Sequence, residues 1–361
     1  MAFPDGWAGY DTITLPNPAS ALSDFPCEVG LPNLSATHQA EADTGGGIRV
    51  TDTSNNLIPS VVIRGATGKV VFKRSLADSG TQQVRIWSDK SGESAPAVDS
   101  EFGQHNAFPS HCFAYYPDGG GNDFTANANH LTMAGSPTVG DATGTVNGFV
   151  GTNYNGSDQE GADTSPSGAP ASEPLSIMAW FQCDQDAGFY AVAAYGNASA
   201  PVDGYVMRLG GGTSSFNRIR ASSTDGASAQ EALSSSNFTA GAWTHGAAVF
   251  ASTTSRIVYF NGTAENENTT SLSPAISSGA IRIGQHWRSA VDESLDGAAS
   301  CVSFHDAVLS PVWVAYHLAM TSDLDQDSFY TFGGWTAHEG GGGGGPNIPA
   351  IANHYRRMRA G

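Results

Sequence analysis

The stretch Trp243–Gly262, WTHGAAVFASTTSRIVYFNG, leaves the chain little choice of local structure. An apolar run, a short polar break and a second apolar run end in Asn261-Gly262. Asn-Gly accepts positive φ at both central positions, the geometry of the primed turns that match strand twist. A β-hairpin is therefore predicted around this turn. Farther on, Ile281 and Ile283 flank Arg282, the alternation of a half-buried strand.

The rest of the chain agrees with sheet. Its 361 residues include 44 glycines, and helical periodicity is scarce, so many short strands joined by turns are expected. In the first part, Ile13 and Leu15, then Cys27, Val29 and Leu31, then Ile48 and Val50 share faces. The runs at 61–63, 70–72 and 84–87 follow, separated by Gly and Asn turns, which reads as a small β-sandwich over residues 1–92. Residues 93–112, rich in Ser, Gly, Glu and Pro, read as a linker, with Phe102, His105 and Phe108 free to dock.

A second sandwich is expected over residues 113–322. Leu175, Ile177, Ala179 and Phe181 alternate with Ser176, Met178, Trp180 and Gln182, and Tyr205, Met207 and Leu209 repeat the pattern. Ser310-Pro311 starts the one predicted helix, since serine caps exposed N–H groups and proline suits the first helical position. Its stripe is Val312, Ala315, Tyr316 and Ala319. Residues 323–361 hold an aromatic cluster (Phe329, Tyr330, Phe332, Trp335) with no evident strand partner. They continue with the glycines 340–345 and a tail ending in Tyr355, Arg356, Arg357 and Arg359. A basic peptide tethered by glycines to an acidic body is expected to dock on a partner.

The net charge of −18 argues against nucleic-acid binding, because such a surface repels phosphate. The cysteines Cys27, Cys112, Cys183 and Cys301 make no CxxC pair and are expected to be free and buried. MAFPDGWAGYDTITL has no basic start followed by an apolar run, so no secretory signal is expected, and no stretch is apolar for long enough to span a bilayer.

Trp-Thr-His before an apolar strand, Val-Tyr-Phe-Asn-Gly, Ile-Arg-Ile-Gly at 281–284 and Leu-Asp-Gly at 295–297 together resemble the laminin-G-like, concanavalin A-like lectin/glucanase family, from about Phe113 to Met320. The resemblance implies a jelly-roll sandwich. The first part resembles a small β-domain of unknown function that often precedes such modules. It does so through Trp7, Thr12-Ile13-Thr14, Asp24-Phe25-Pro26, Gly47–Asp52 and Val84–Trp87. The fold class expected is thus all-β, with two β-sandwich domains, one short helix and a Gly-rich C-terminal tail.

Fold alone does not choose a function. Glycanase chemistry needs two opposed carboxylates, and the nearest candidate, Asp292-Glu293-Ser294-Leu295-Asp296, has serine between its acids. No enzyme is expected. For glycan binding, Gln285-His286-Trp287-Arg288 beside Asp292-Glu293 pairs an aromatic plate with polar groups, so the candidates are His286, Trp287, Arg288, Asp292 and Glu293. Trp287 could equally anchor an interface or fold back on its sheet. No cofactor is required. The resemblance admits calcium, with Asp158, Asp203 and Asp292 as candidates. His245 reads as a hydrogen-bonded core or edge residue.

The expected role is a structural protein of a tailed bacteriophage virion: a head decoration, fibre or tail appendage, homo-oligomeric and tied to other virion proteins by its tail. It would be assembled in the host cytoplasm. The alternatives are a secreted or surface bacterial glycan-binding protein, and a glycoside hydrolase.

Overall fold

The computed structural model describes the chain except residues 1–3, 45–46, 65–67, 91, 147–148, 157–159, 186–187, 198–202, 211–216, 287–292, 324–325 and 339–361. The side chains of residues 41–44, 141–146 and 149–150 are also outside the description. The protein is all-β and falls into two units, residues 1–108 with 325–361, and residues 109–324.

The first unit has two antiparallel sheets. The five-stranded sheet runs, edge to edge, Thr331–Ala337, Gly9–Leu15, Gln82–Ser88, Arg49–Thr51 and Leu57–Ile58. The three-stranded sheet is Leu22–Gly30, Lys69–Leu76 and Ser60–Ile63. Period-two alternation buries Ile13, Leu15, Val84 and Ile86 from one sheet and Phe25, Cys27, Val29 and Phe72 from the other. A helix at Ala36–Thr44 was not expected, because its sequence ATHQAEADT carries no apolar stripe. It is fixed through His38, which is buried and touches the Ile86 carbonyl at 2.7 Å.

Two expectations need correction here. Residues 93–108 are not a linker: Arg49 pairs with Glu93 at 3.2 Å, the Ser60 N–H donates to the Phe102 carbonyl, and Ala107 and Phe108 are buried. The aromatic segment after 323 does have a strand partner. Thr331–Ala337 pairs antiparallel with Gly9–Leu15, from Gly9 opposite Ala337 to Thr14 opposite Thr331. Gln326 enters first: its Oε1 accepts from the Gly30 N–H at 2.8 Å and its Nε2 donates to the Glu28 carbonyl at 3.0 Å. Tyr330 is buried behind it. The glycine run and the tail residues Tyr355, Arg356, Arg357 and Arg359 lie outside the described residues.

The second unit is a sandwich of an eight-stranded and a seven-stranded antiparallel sheet. The central strands of the first are Asp296–His305, Leu175–Cys183, Thr244–Ser252 and Ser255–Phe260, with Thr263–Asn268 at one edge. The second runs Ala229–Leu233, Ile219–Asp225, Asp203–Gly210, Phe189–Asn197, Gly279–Ile283, Glu160–Asp163 and Thr132–Ala134. Leu175, Ile177, Ala179 and Phe181 meet Tyr205, Met207, Leu209, Ile281 and Ile283 in one core. Each buried Leu, Ile, Met or Phe among them contributes about 1.5–3 kcal/mol.

The Asn261-Gly262 turn has positive φ at both residues, 43° and 77°, and joins Ser255–Phe260 to Thr263–Asn268. Helix Pro311–Thr321 lies on the outer face of the eight-stranded sheet, with Ser310 Oγ accepting from the Trp313 N–H at 3.1 Å. A Cβ on Gly262 would come within 2.8 Å of Leu318 in this helix, so Gly262 serves both the turn and the helix seat. The start of the helix was legible; its buried face was not. Trp313, Val314, Tyr316, His317, Met320 and Thr321 are buried, whereas Ala315 is exposed and Val312 and Ala319 are not buried. The polar residues His317 and Thr321 displace the expected stripe. Beneath the helix, Ser176, Met178 and Trp180 are buried as fully as the core face of their strand. All four cysteines are free and buried. Among the described residues, no helix is long and apolar enough to cross a membrane.

Candidate functional site

The outer face of the seven-stranded sheet is where charge collects. In Asp203–Gly210 the residues Tyr205, Met207 and Leu209 point into the core, so Arg208 points out. Cross-strand register sets Arg208 directly opposite Arg220. Like charges facing each other in this way destabilise a sheet unless counter-ions intervene. Glu231, on the next strand, supplies one: it takes Arg208 Nη1 at 3.2 Å and Arg220 Nη1 on its other oxygen. Glu293 supplies the second, with both oxygens on Arg208 Nη2 at 2.7 and 2.6 Å. Phe189 lies against both guanidinium groups, at 5.3 and 5.6 Å, and is 38% exposed. An aromatic face beside a cation adds modest electrostatic stabilisation.

Two of the residues singled out from sequence meet here. His286 Nδ1 is 3.1 Å from Glu293, and both are buried. Burial pushes the Glu293 carboxyl up, but the hydrogen bond from His286 and the charges of Arg208 and His286 outweigh it and hold the pKa at about 2. Below them, the Leu295 N–H donates to the Gly284 carbonyl at 2.7 Å and Gln285 reaches Ser294 at 3.2 Å. His286 and Glu293 therefore form an ionic pair backed by Arg208. Trp287, Arg288 and Asp292 lie outside the described residues.

Glu231 links this face to a groove that the sequence reading missed. Where the edge strands Ala229–Leu233 and Thr263–Asn268 meet, an open polar groove of about 420 Å³ is lined by Glu231, Asn266, Glu267, Asn268, Thr269 and Thr270. The two edges are stitched together by Asn266 Nδ2 to the Leu233 carbonyl at 2.7 Å and Asn268 Nδ2 to the Glu231 carbonyl at 2.9 Å. Asn268 Oδ1 accepts from Arg256 at 3.1 Å and from the Thr270 N–H at 2.8 Å. These bonds hold the amides rigid and leave hydroxyl and carboxylate groups around them. The alternation in Thr-Ala-Glu-Asn-Glu-Asn after an Asn-Gly turn was the signal that could have found it.

The remaining acids have structural work. Asp203 is buried and accepts from Asn197 Nδ2 at 3.1 Å. The other calcium candidates, Asp158 and Asp292, lie outside the described residues. Among the described residues no three His, Cys, Asp or Glu side chains are grouped to hold a metal ion. In Leu295-Asp296-Gly297, Leu295 is core, Asp296 accepts from Gln185 at 2.9 Å, and Gly297 sits at φ 145° where a Cβ would strike the Gln182 carbonyl. Asp184 stands beside Asp296; burial and then the Asp296 charge raise its pKa.

No curated protein matches the chain. Solved structures with a similar fold include domain 4 of AbnA, a GH43 extracellular arabinanase from Geobacillus stearothermophilus, in complex with arabinotriose. It is 17% identical, with TM-score 0.47, over 57% of this chain and 97% of that one. The binding domain of botulinum neurotoxin serotype D is 10% identical, with TM-score 0.44, over 58% of this chain and 51% of that one, so the chain spans about half of it. The heptameric SAP-like pentraxin from Limulus polyphemus is 15% identical, with TM-score 0.34, over 41% and 71%. The sequence of residues 155–315, all within the second unit, matches the family model of the concanavalin A-like lectin/glucanases superfamily.

Proposed function

We propose that the second unit is a non-catalytic glycan-binding domain and that sugar lies in the groove between Ala229–Leu233 and Thr263–Asn268. The lining of that groove carries the reading. Amide, hydroxyl and carboxylate groups converge there, and Asn266 and Asn268 are held in place by backbone contacts of their own. Such groups satisfy the paired donors and acceptors of sugar hydroxyls. A glycan array with the full chain, followed by calorimetry, tests this. The double variant Asn266→Ala, Thr270→Ala is expected to weaken binding at least tenfold. Unchanged affinity would move the site elsewhere, and failure to bind any glycan would remove the reading.

We further propose that the protein is displayed in many copies on a tailed bacteriophage virion, where weak sugar contacts add as avidity. Four buried free thiols support assembly in a reducing compartment. The tail with Tyr355, Arg356, Arg357 and Arg359 is the proposed tie to acidic virion partners. Mass spectrometry of purified particles decides: the chain should be present, and deletion of residues 340–361 should remove it from particles while sugar binding persists. Presence in a bacterial secretome and absence from particles would favour the surface-protein reading instead.

A further inference from the structure

The seat of helix Pro311–Thr321 is paved with imidazoles. His317, on the helix, meets His245 of strand Thr244–Ser252, with Nδ1 and Nε2 3.1 Å apart. His305, at the end of Asp296–His305, meets His111 at 3.2 Å between their Nδ1 atoms and touches Ser303 Oγ at 3.0 Å. Trp313 of the helix packs on His111 and His305, at 5.2 and 6.2 Å between ring centres, and Trp180 packs on His245 at 5.3 Å. Trp180 Nε1 donates to Thr321 Oγ1 at 2.8 Å. His245, His305 and His317 are each no more than 2% exposed. A helix of eleven residues is thus seated by its buried Trp313, Val314, Tyr316 and Met320, by one ring pair, His245–His317, and by an indole bond, with the His111–His305 pair under Trp313.

Two neutral imidazoles share one N–H between facing nitrogens, and one proton more in the pair can still be donated across it. A second sets two N–H groups head to head. His245 Nδ1 has no hydrogen-bond partner among the described residues, so a charged His245 would bury a donor without an acceptor.

Among the described residues, His245 has little compensation around it. The helix itself, PVWVAYHLAMT, carries no acid, lysine or arginine. On the sheet side, among the described residues, stand the buried thiols Cys301, packed with Trp180, and Cys112, opposite His305 in the register, and the phenol of Tyr259, on the strand paired with Thr244–Ser252. The acid that faces the layer is Asp306, which senses His111. Among the described residues, His245 senses His317, and His305 senses His111 and His317.

We propose that this layer makes the helix an acid-sensitive latch: it seats on the sheet while the rings beneath and within it are neutral, and protons taken up at mildly acidic pH loosen it and open the face beneath. Burial, and then the neighbouring imidazoles, drive His245 and His305 well below the ordinary histidine pKa of 6.5. The released state therefore binds more protons, and attachment is lost as pH falls below about 6.5. Well below 6.5, each such ring makes release about tenfold easier per pH unit, and the two together about a hundredfold.

Hydrogen exchange on the full chain tests this, after correction for the intrinsic pH dependence of exchange. Amides of Pro311–Thr321 should lose about thirtyfold of their protection between pH 6.5 and 5.5, while those of Leu175–Cys183 keep theirs. In the double variant His245→Leu, His317→Leu, which removes one ring pair, the loss should shrink to about fivefold. Should that variant fail to fold, ring-proton NMR of the wild type gives the same answer: His245 and His305 should stay neutral until the helix amides exchange. Rings that titrate near 6.5 under a protected helix would overturn the proposal. So would protection that is flat with pH, or a loss shared equally by the core strands.

Discussion

The two sheets of the lectin-like unit carry polar groups on their outer faces in opposite ways. The seven-stranded sheet sets guanidinium against carboxylate: Arg208 between Glu231 and Glu293, and Arg220 on Glu231. The eight-stranded sheet sets imidazole against imidazole and seals the pairs under a helix. In the first, the charged forms satisfy each other, and removing one leaves its partner stranded. In the second, the uncharged forms satisfy each other, and adding a proton strands it. Burial is common to both, so the chemistry of the partner decides which pH each face tolerates.

The largest expected effect breaks the ionic face. Arg208→Met leaves Glu293 and Glu231 without their shared cation, and the loss should be about 3–5 kcal/mol in urea unfolding of the second unit followed by tryptophan fluorescence. A loss under 1 kcal/mol would mean that the pair is not desolvated in solution.

The next prediction separates the faces by pH. Glu293 falls from 4.5 in the unfolded chain to about 2, so its contribution of about 3 kcal/mol is complete above 4.5 and disappears as pH drops toward 2. The imidazole layer should fail earlier, below 6.5, at about 1.4 kcal/mol per unit for each of His245 and His305. Stability measured from pH 8 to 2 should therefore begin to fall below 6.5 and fall more steeply below 4.5, and Glu293→Gln should abolish only the part that starts at 4.5.

Smaller changes sharpen the picture of the helix seat. Gly262→Ala forces a Cβ onto positive φ and against Leu318, and should cost about 1–2 kcal/mol, read as faster exchange in the helix. Ser310→Ala removes the hydroxyl that caps the Trp313 N–H and should cost about 1 kcal/mol by the same readout. Ser310 touches no residue of the polar groove, so glycan binding should be unaffected in Ser310→Ala.

What could be read in the sequence was local. Asn261-Gly262 announces its turn because few other dipeptides accept its backbone angles, and Ser310-Pro311 announces a helix start for a similar reason. What could not be read depends on distant partners. Counting apolar residues put Ala315 and Ala319 on the buried face, because nothing near His317 in the chain says that His245 waits opposite it. Thr331–Ala337 is glycine-rich and lacks alternation of its own, so only Gly9–Leu15, at the other end of the chain, makes it a strand. The charged face was half visible: His286 and Glu293 stand close in sequence, while Arg208 and Glu231 reach them only across the sheet. The polar groove was missed because it joins the edges of two different sheets.

The strand from beyond the lectin-like unit that completes the first sheet has a bearing on biosynthesis. The N-terminal sheet leaves the ribosome first yet must wait, one edge bare, until the entire jelly roll has been translated and Gln326, Tyr330 and Thr331–Ala337 follow. Early termination anywhere in the jelly roll would leave that sheet without its last strand and open to pairing with a neighbouring nascent chain.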